Sequence, residues 1–123
     1  MIRVLLADDA DDIRMLVRYG LDHDARFEVV GEARDGEEAL ELASTCAYDL
    51  LLLDLAMPRM DGLEVLERLR AKGDDSTVVV FSGFSADSMV ERAKELGANG
   101  YVHKGTDIFA IPDILAEAAG HAA

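Results

Sequence analysis

Five residues of this 123-residue chain have types and positions that could do chemistry together. Asp8 and Asp9 follow the apolar run Val4-Leu5-Leu6-Ala7, and Asp54 closes Leu50-Leu51-Leu52-Leu53. Ser82 follows Val78-Val79-Val80-Phe81, and Lys104 follows Tyr101-Val102-His103. If the ends of these runs meet, each pair of carboxylates about 5 Å apart repels by roughly 3 kcal/mol at an effective dielectric near 20. Such a cluster calls for a bound cation or a raised pKa. An all-oxygen site without His or Cys suits Mg²⁺, which takes one or two carboxylates, keeps several waters and completes its shell with phosphate oxygens. Ser82 and Lys104 would add a hydroxyl donor and a fixed cation for the oxygens of a transferred phosphoryl group. Taken singly, each has a plainer explanation: an Asp or Ser after a strand is commonly a turn former, and a Lys is commonly solvated. Turn chemistry accounts for Asp11 and Asp12, but not for three aspartates at matched ends of apolar runs.

The elements that must bring these residues together are legible in the hydrophobic pattern. Residues 3–7, 27–33, 49–53, 77–81 and 100–103 read as strands, several apolar without a break, as burial on both faces requires. Between them lie helical stripes: Ile13, Leu16, Val17, Gly20 and Leu21, then Ala39, Leu42, Ala43 and Cys46. Val65, Leu66 and Leu69 form the third, Met89, Val90, Ala93 and Gly97 the fourth, and Ile114, Leu115 and Ala118 the fifth. Asp11 is expected to cap the first helix and Pro112 to open the last. Five strands alternating with five helices predict an α/β, doubly wound parallel sheet of order 2-1-3-4-5, with ligands at the carboxyl ends of strands 1 and 3.

Composition bounds the function. Twenty-five acidic residues against twelve basic ones give a formal net charge of −13, which disfavours direct contact with nucleic acid or an anionic membrane. The length fits one domain, residues 1–123. Cys46 is the single cysteine, so no internal disulfide forms, and it reads as a small hydrophobe. The amino terminus has no secretion signal and no apolar stretch is long enough for a bilayer, so a cytoplasmic protein is expected. His23, His103 and His121 lack metal-ligand spacing.

Along essentially its whole length the sequence resembles the receiver domains of two-component response regulators. The acidic pair is Asp8-Asp9, and the phosphorylation motif runs Asp49-Leu50-Leu51-Leu52-Leu53-Asp54-Leu55-Ala56-Met57-Pro58-Arg59-Met60-Asp61-Gly62. The hydroxyl residue is Ser82, followed by the small Gly83, and the lysine is Lys104. The resemblance implies a flavodoxin-like receiver fold in which Asp54 accepts a phosphoryl group from a histidine kinase, a histidine phosphotransfer protein or a small phosphodonor. It implies Mg²⁺ held by Asp8, Asp9, Asp54 and the backbone carbonyl of Ala56. Lys104 would pair with the phosphate and Ser82 would hydrogen-bond it. Tyr101 would move inward with Ser82 and remodel the surface of helix 4, strand 5 and helix 5 for a downstream protein effector. On this reading the chain is a phosphoacceptor switch, not an enzyme acting on other substrates.

Two departures stand out. Gly105 follows the lysine where the family usually has proline, so no proline enforces a cis bond there, and the stretch from Gly105 to the last helix is long. Phe84 would screen the phosphoryl group while the small Ala56 leaves it open; these effects oppose.

Other functions fit less well. A haloacid dehalogenase-like phosphatase needs a second Asp two residues after the nucleophile, where this chain has Ala56. A flavin carrier of the same fold needs a Ser/Thr/Gly-rich loop after strand 1, where this chain is acidic. A degenerate receiver serving only for docking would not need the full set Asp8, Asp9, Asp54, Ser82 and Lys104. With no DNA-binding helix-turn-helix in it, the chain is a stand-alone relay component or the front part of a larger regulator.

Overall fold

Unbroken runs of Leu and Val in the central strands demand cover on both faces, and the fold provides it. The computed structural model describes residues 1–83 and 87–120; Phe84 and His121, considered above, lie outside the described residues. Five strands, β1 (Ile2–Ala7), β2 (Phe27–Ala33), β3 (Leu50–Asp54), β4 (Thr77–Ser82) and β5 (Gly100–His103), form one sheet of order β2-β1-β3-β4-β5. All four pairings are parallel, as crossover helices require. The helices are α1 (Asp11–Asp22), α2 (Gly36–Thr45), α3 (Gly62–Ala71), α4 (Asp87–Glu95) and α5 (Ile111–Ala118). The doubly wound order predicted from the sequence is the one observed.

The period of two along each strand divides the core. Leu5, Ala7, Leu51, Leu53, Val78 and Val80 pack with Ala39, Val65, Leu66, Leu69 and Ala93 of α2, α3 and α4. Val4, Leu6, Leu50, Leu52, Val79 and Phe81 pack with Val17, Leu21, Leu115 and Ala116 of α1 and α5. The two layers hold the sheet from opposite sides, so the carboxyl ends of β1, β3, β4 and β5 form a fixed rim.

Several local expectations need correction. Leu16 is 49 % exposed, because the inward face of α1 is set by Val17, Gly20 and Leu21 and residue 16 falls beside it. Asp11 is not the cap of α1: the cap position is Ala10, with no side-chain hydrogen bond, and Asp11 lies in the first turn, paired with Arg14. Caps of the expected type occur instead at Asp35, which accepts from the Glu38 N–H at 2.8 Å, and at Asp61, which accepts from the Glu64 N–H at 3.0 Å. Cys46 is the residue after α2, partly buried against the core. Gly97 lies beyond α4, with φ +103°, a left-handed conformation that favours glycine. Ile111 opens α5 and Pro112 is its second residue.

Candidate functional site

Asp54 ends β3, Asp8 is the first residue after β1, Ser82 ends β4 and Lys104 is the first residue after β5. Register makes these positions neighbours. Ala7 pairs with Leu53 and Asp54 with Phe81, while Ser82 pairs with His103, so all four residues lie at one edge of the sheet. One oxygen each of Asp8, Asp9 and Asp54 can be chosen so that all lie within 4.8 Å of one another. Asp8 and Asp54 are buried, Asp9 exposed.

The side chains are held from below by backbone. The Ala10 N–H donates to Asp8 Oδ1 at 2.9 Å and the Ala56 N–H donates to Asp54 Oδ1 at 3.0 Å. The Nζ of Lys104 donates to Asp54 Oδ2 at 3.1 Å and lies 3.2 Å from Asp8 Oδ2. That second contact is a charge pairing rather than an aligned hydrogen bond, and Asp8 Oδ2 is a buried oxygen without a hydrogen-bond donor among the described residues. Ser82 Oγ, also buried, has no partner among the described residues either.

Electrostatics follow from this packing. Burial pushes the Asp54 carboxyl up from its ordinary value of 3.8 to about 6; the Ala56 N–H opposes this, the charge of Asp8 adds to it, and Lys104 opposes it again. Burial by itself would lower the Lys104 ammonium, but the hydrogen bond and charge of Asp54, with the charge of Asp8, outweigh it and raise the group overall. One lysine therefore does not compensate the acidic cluster. The donor set is oxygen only and buried on two sides, and one of its oxygens awaits a partner. These features fit a hard divalent ion such as Mg²⁺, which Asp8, Asp9 and Asp54 could hold.

The loop after β3 closes around Asp54. The Gly62 N–H donates to the Leu55 carbonyl at 3.1 Å, and a Cβ at Gly62 would run into the carbonyl oxygen of Asp54 and the Cα of Leu55. Met57 and Met60 of this loop are buried. Arg59 has φ +67°, and the Met60 N–H reaches the Pro58 carbonyl at 2.7 Å, a tight three-residue turn that costs backbone strain. Arg59 reaches Asp35 at 3.3 Å, which ties this turn to the start of α2.

The other sequence candidates fall around the site. Tyr101 is half-buried and packs against the core layer formed with α2, α3 and α4. The peptide between Lys104 and Gly105 is trans, and the Gly105 N–H donates to Nδ1 of His103 at 2.9 Å. Two participants escaped the sequence reading. Arg14 is 9 % exposed and donates to the Asp8 carbonyl at 2.5 Å; the signal was a cation three residues before Val17, on the inward stripe of α1. Gly62 was quoted only as part of a motif, and its steric role depends on a chain approach that sequence spacing does not reveal.

A parallel sheet of this order with an acidic, lysine-bearing rim defines a signal-receiver fold, and comparison with known proteins gives the family. The pattern of the response regulator receiver domain matches residues 4–116. The transcriptional regulatory protein PdtaR of Mycobacterium tuberculosis is 40 % identical over 113 residues, covering 92 % of this chain and 53 % of its own. The nitrate/nitrite response regulator protein NarL of Escherichia coli is 40 % identical over 120 residues, covering 98 % and 54 %. The chain thus spans about half the length of these curated relatives. Among solved structures, the receiver domain of AraT, a response regulator from Geobacillus stearothermophilus, superposes with a TM-score of 0.86 at 38 % identity, covering 97 % of this chain and 93 % of that one. The receiver domain of the putative response regulator NarL from Mycobacterium tuberculosis gives 0.91 at 33 %, covering 97 % and 96 %. The chain belongs to the response regulator receiver domain family.

Proposed function

We propose that this chain is a phosphorylation switch in which Asp54 is the acceptor, Asp8, Asp9, Asp54 and the Ala56 carbonyl hold Mg²⁺, and Lys104 and Ser82 contact the phosphoryl group. The observation that carries the reading is the convergence of three carboxylates and one lysine from three strand ends, with Lys104 Nζ within 3.2 Å of both buried aspartates. In the transfer, an ionised carboxylate oxygen of Asp54 forms the new P–O bond as the P–N bond to a donor phosphohistidine breaks, and the freed ring nitrogen takes a proton from solvent to leave as neutral imidazole. Mg²⁺, when bound, would offset charge on the phosphoryl oxygens. Lys104, already paired with Asp54, would exchange its carboxylate partner for a phosphoryl oxygen without crossing open solvent. The hydroxyl of Ser82, without a partner among the described residues, supplies a donor for another. Its movement would give Tyr101 room and shift the surface of α4, β5 and α5, because new charge-assisted hydrogen bonds bias two packings of a bistable element.

Donors of this class are histidine kinases and histidine phosphotransfer proteins, and the recipient of the signal is a downstream protein effector. The net charge of −13 argues against nucleic acid as a direct partner of this domain. Among the described residues no helix is long and apolar enough to cross a membrane. The only chemistry proposed is the domain's own phosphorylation and dephosphorylation, and Ala56, two residues after the acceptor, speaks against a phosphatase that uses paired aspartates. Incubation with acetyl phosphate and Mg²⁺, followed by intact mass measurement, tests the reading. One labile phosphoryl adduct is expected on the native chain and none on Asp54→Ala; no adduct on either, or an equal adduct on both, would refute it.

A further inference from the structure

We infer that Arg14 is a positioning residue for the cation site: its guanidinium fixes the peptide that joins Asp8 to Asp9. This inference rests on the proposed reading of those aspartates as metal ligands. Long charged side chains are rarely buried, and the burial of Arg14 is accounted for by three directed contacts. Nη1 donates to the Asp8 carbonyl at 2.5 Å, Nε to Glu32 Oε1 at 3.2 Å, and Nη2 to the Asp11 carboxylate. Glu32 lies on β2, so the guanidinium is anchored to the sheet on one side and to the first turn of α1 on the other.

The carbonyl it grips belongs to the same peptide plane as the Asp9 N–H. Asp8 is otherwise fixed through its own N–H, which donates to the Ala33 carbonyl at 3.0 Å, and through Oδ1, which accepts from Ala10. Neither contact sets the plane beyond Asp8. Among the described residues no hydrogen bond to the Asp9 side chain is seen, and Asp9 is exposed. A ligand on an exposed, otherwise unrestrained side chain has to be aimed by its main chain, and here one guanidinium supplies the aim.

The sign of the effect separates this role from a merely structural ion pair. Arg14 is a cation beside a cation site, so removing its charge should by Coulomb's law raise divalent affinity. Loss of affinity instead would report lost positioning, which in metal sites typically costs about 10- to 100-fold. Mg²⁺ demands near-octahedral geometry whereas Ca²⁺ tolerates irregular shells, so a loosened peptide should weaken Mg²⁺ more than Ca²⁺. Arg18 makes the control, since it shares Glu32 but does not touch Asp8.

The test is calorimetric titration of the native chain, Arg14→Met, Arg14→Lys and Arg18→Met with Mg²⁺ and with Ca²⁺, alongside thermal melts of the metal-free proteins. Positioning predicts roughly tenfold or greater loss of Mg²⁺ affinity in Arg14→Met, a smaller loss for Ca²⁺, and native or slightly tighter binding in Arg18→Met. Arg14→Lys keeps the charge but not the three-way grip, and is expected to lose Mg²⁺ affinity as well. Should Arg14→Met fail to fold, Arg14→Lys decides the matter alone. Unchanged or tighter Mg²⁺ binding in the Arg14 variants, or equal losses for both ions and in Arg18→Met, would overturn the inference while leaving the cation site standing. No Mg²⁺ binding by the native chain would overturn both.

Discussion

Replacing Asp54 by asparagine should stabilise the metal-free protein near neutral pH, because Asp54 is a buried carboxylate held against its preference. Its carboxyl is raised from 3.8 to about 6, chiefly by burial, with Asp8 adding repulsion and with Ala56 and Lys104 only partly offsetting it. A group whose pKa is raised on folding contributes stability that is complete below the unfolded value and lost as the pH rises through the folded one. For Asp54 that window runs from 3.8 to about 6. At about 1.4 kcal/mol for each pH unit, the ionised side chain costs the folded state about 3 kcal/mol above the window. Asparagine keeps the shape and the acceptor for the Ala56 N–H without the charge. Thermal melts at about pH 7.5 in chelator should therefore place Asp54→Asn roughly 10 °C above the native chain. The gap should shrink as the pH falls through the window, and Mg²⁺ should narrow it by stabilising the native chain more. Equal melting temperatures at neutral pH, or a gap that does not depend on pH, would refute the reasoning.

Three other outcomes follow from the same geometry. Gly62→Ala should lose about 2 kcal/mol or more in a urea melt, since its Cβ meets main chain at Asp54 and Leu55 that cannot step aside; native stability would show that the approach is not close. Asp9→Ala should weaken Mg²⁺ binding about tenfold or more in calorimetry while leaving the metal-free melt unchanged or slightly higher, as an exposed member of an acidic cluster; unchanged affinity would remove it from the site. Lys104→Ala leaves Asp54 and Asp8 without their shared cation, so the Asp54 carboxyl should rise further and stability should fall more steeply between about pH 5 and pH 8. The same variant should accept phosphate yet fail to switch, and a normal phosphorylation-dependent change in amide exchange over α4, β5 and α5 would contradict that role.

The strands and their order were legible because burial on both faces leaves an unambiguous signature. Leu50 to Leu53 and Val78 to Phe81 could hardly have been anything else, and topology then carried Asp8, Asp54, Ser82 and Lys104 to one rim. What the sequence concealed lies where two rules compete. Leu16 has the spacing of a core residue, yet on α1 the inward stripe runs one position over. Asp11 has the chemistry of a cap, but Arg14 draws it into the first turn and the Asp8 carboxylate takes the Ala10 N–H instead. Arg14 and Gly62 act on backbone atoms of Asp8 and Asp54, contacts that no periodicity encodes.

The claim on which the rest depends is that Asp54 itself takes the phosphoryl group, and locating the modification is its most direct test. After incubation with acetyl phosphate and Mg²⁺, borohydride reduction converts an aspartyl phosphate to homoserine, which tandem mass spectrometry assigns to a position. The account predicts homoserine at position 54 and its disappearance when Mg²⁺ is chelated. Reduction at another carboxylate, or a Mg²⁺-dependent phosphoryl adduct that persists in Asp54→Ala, would contradict it.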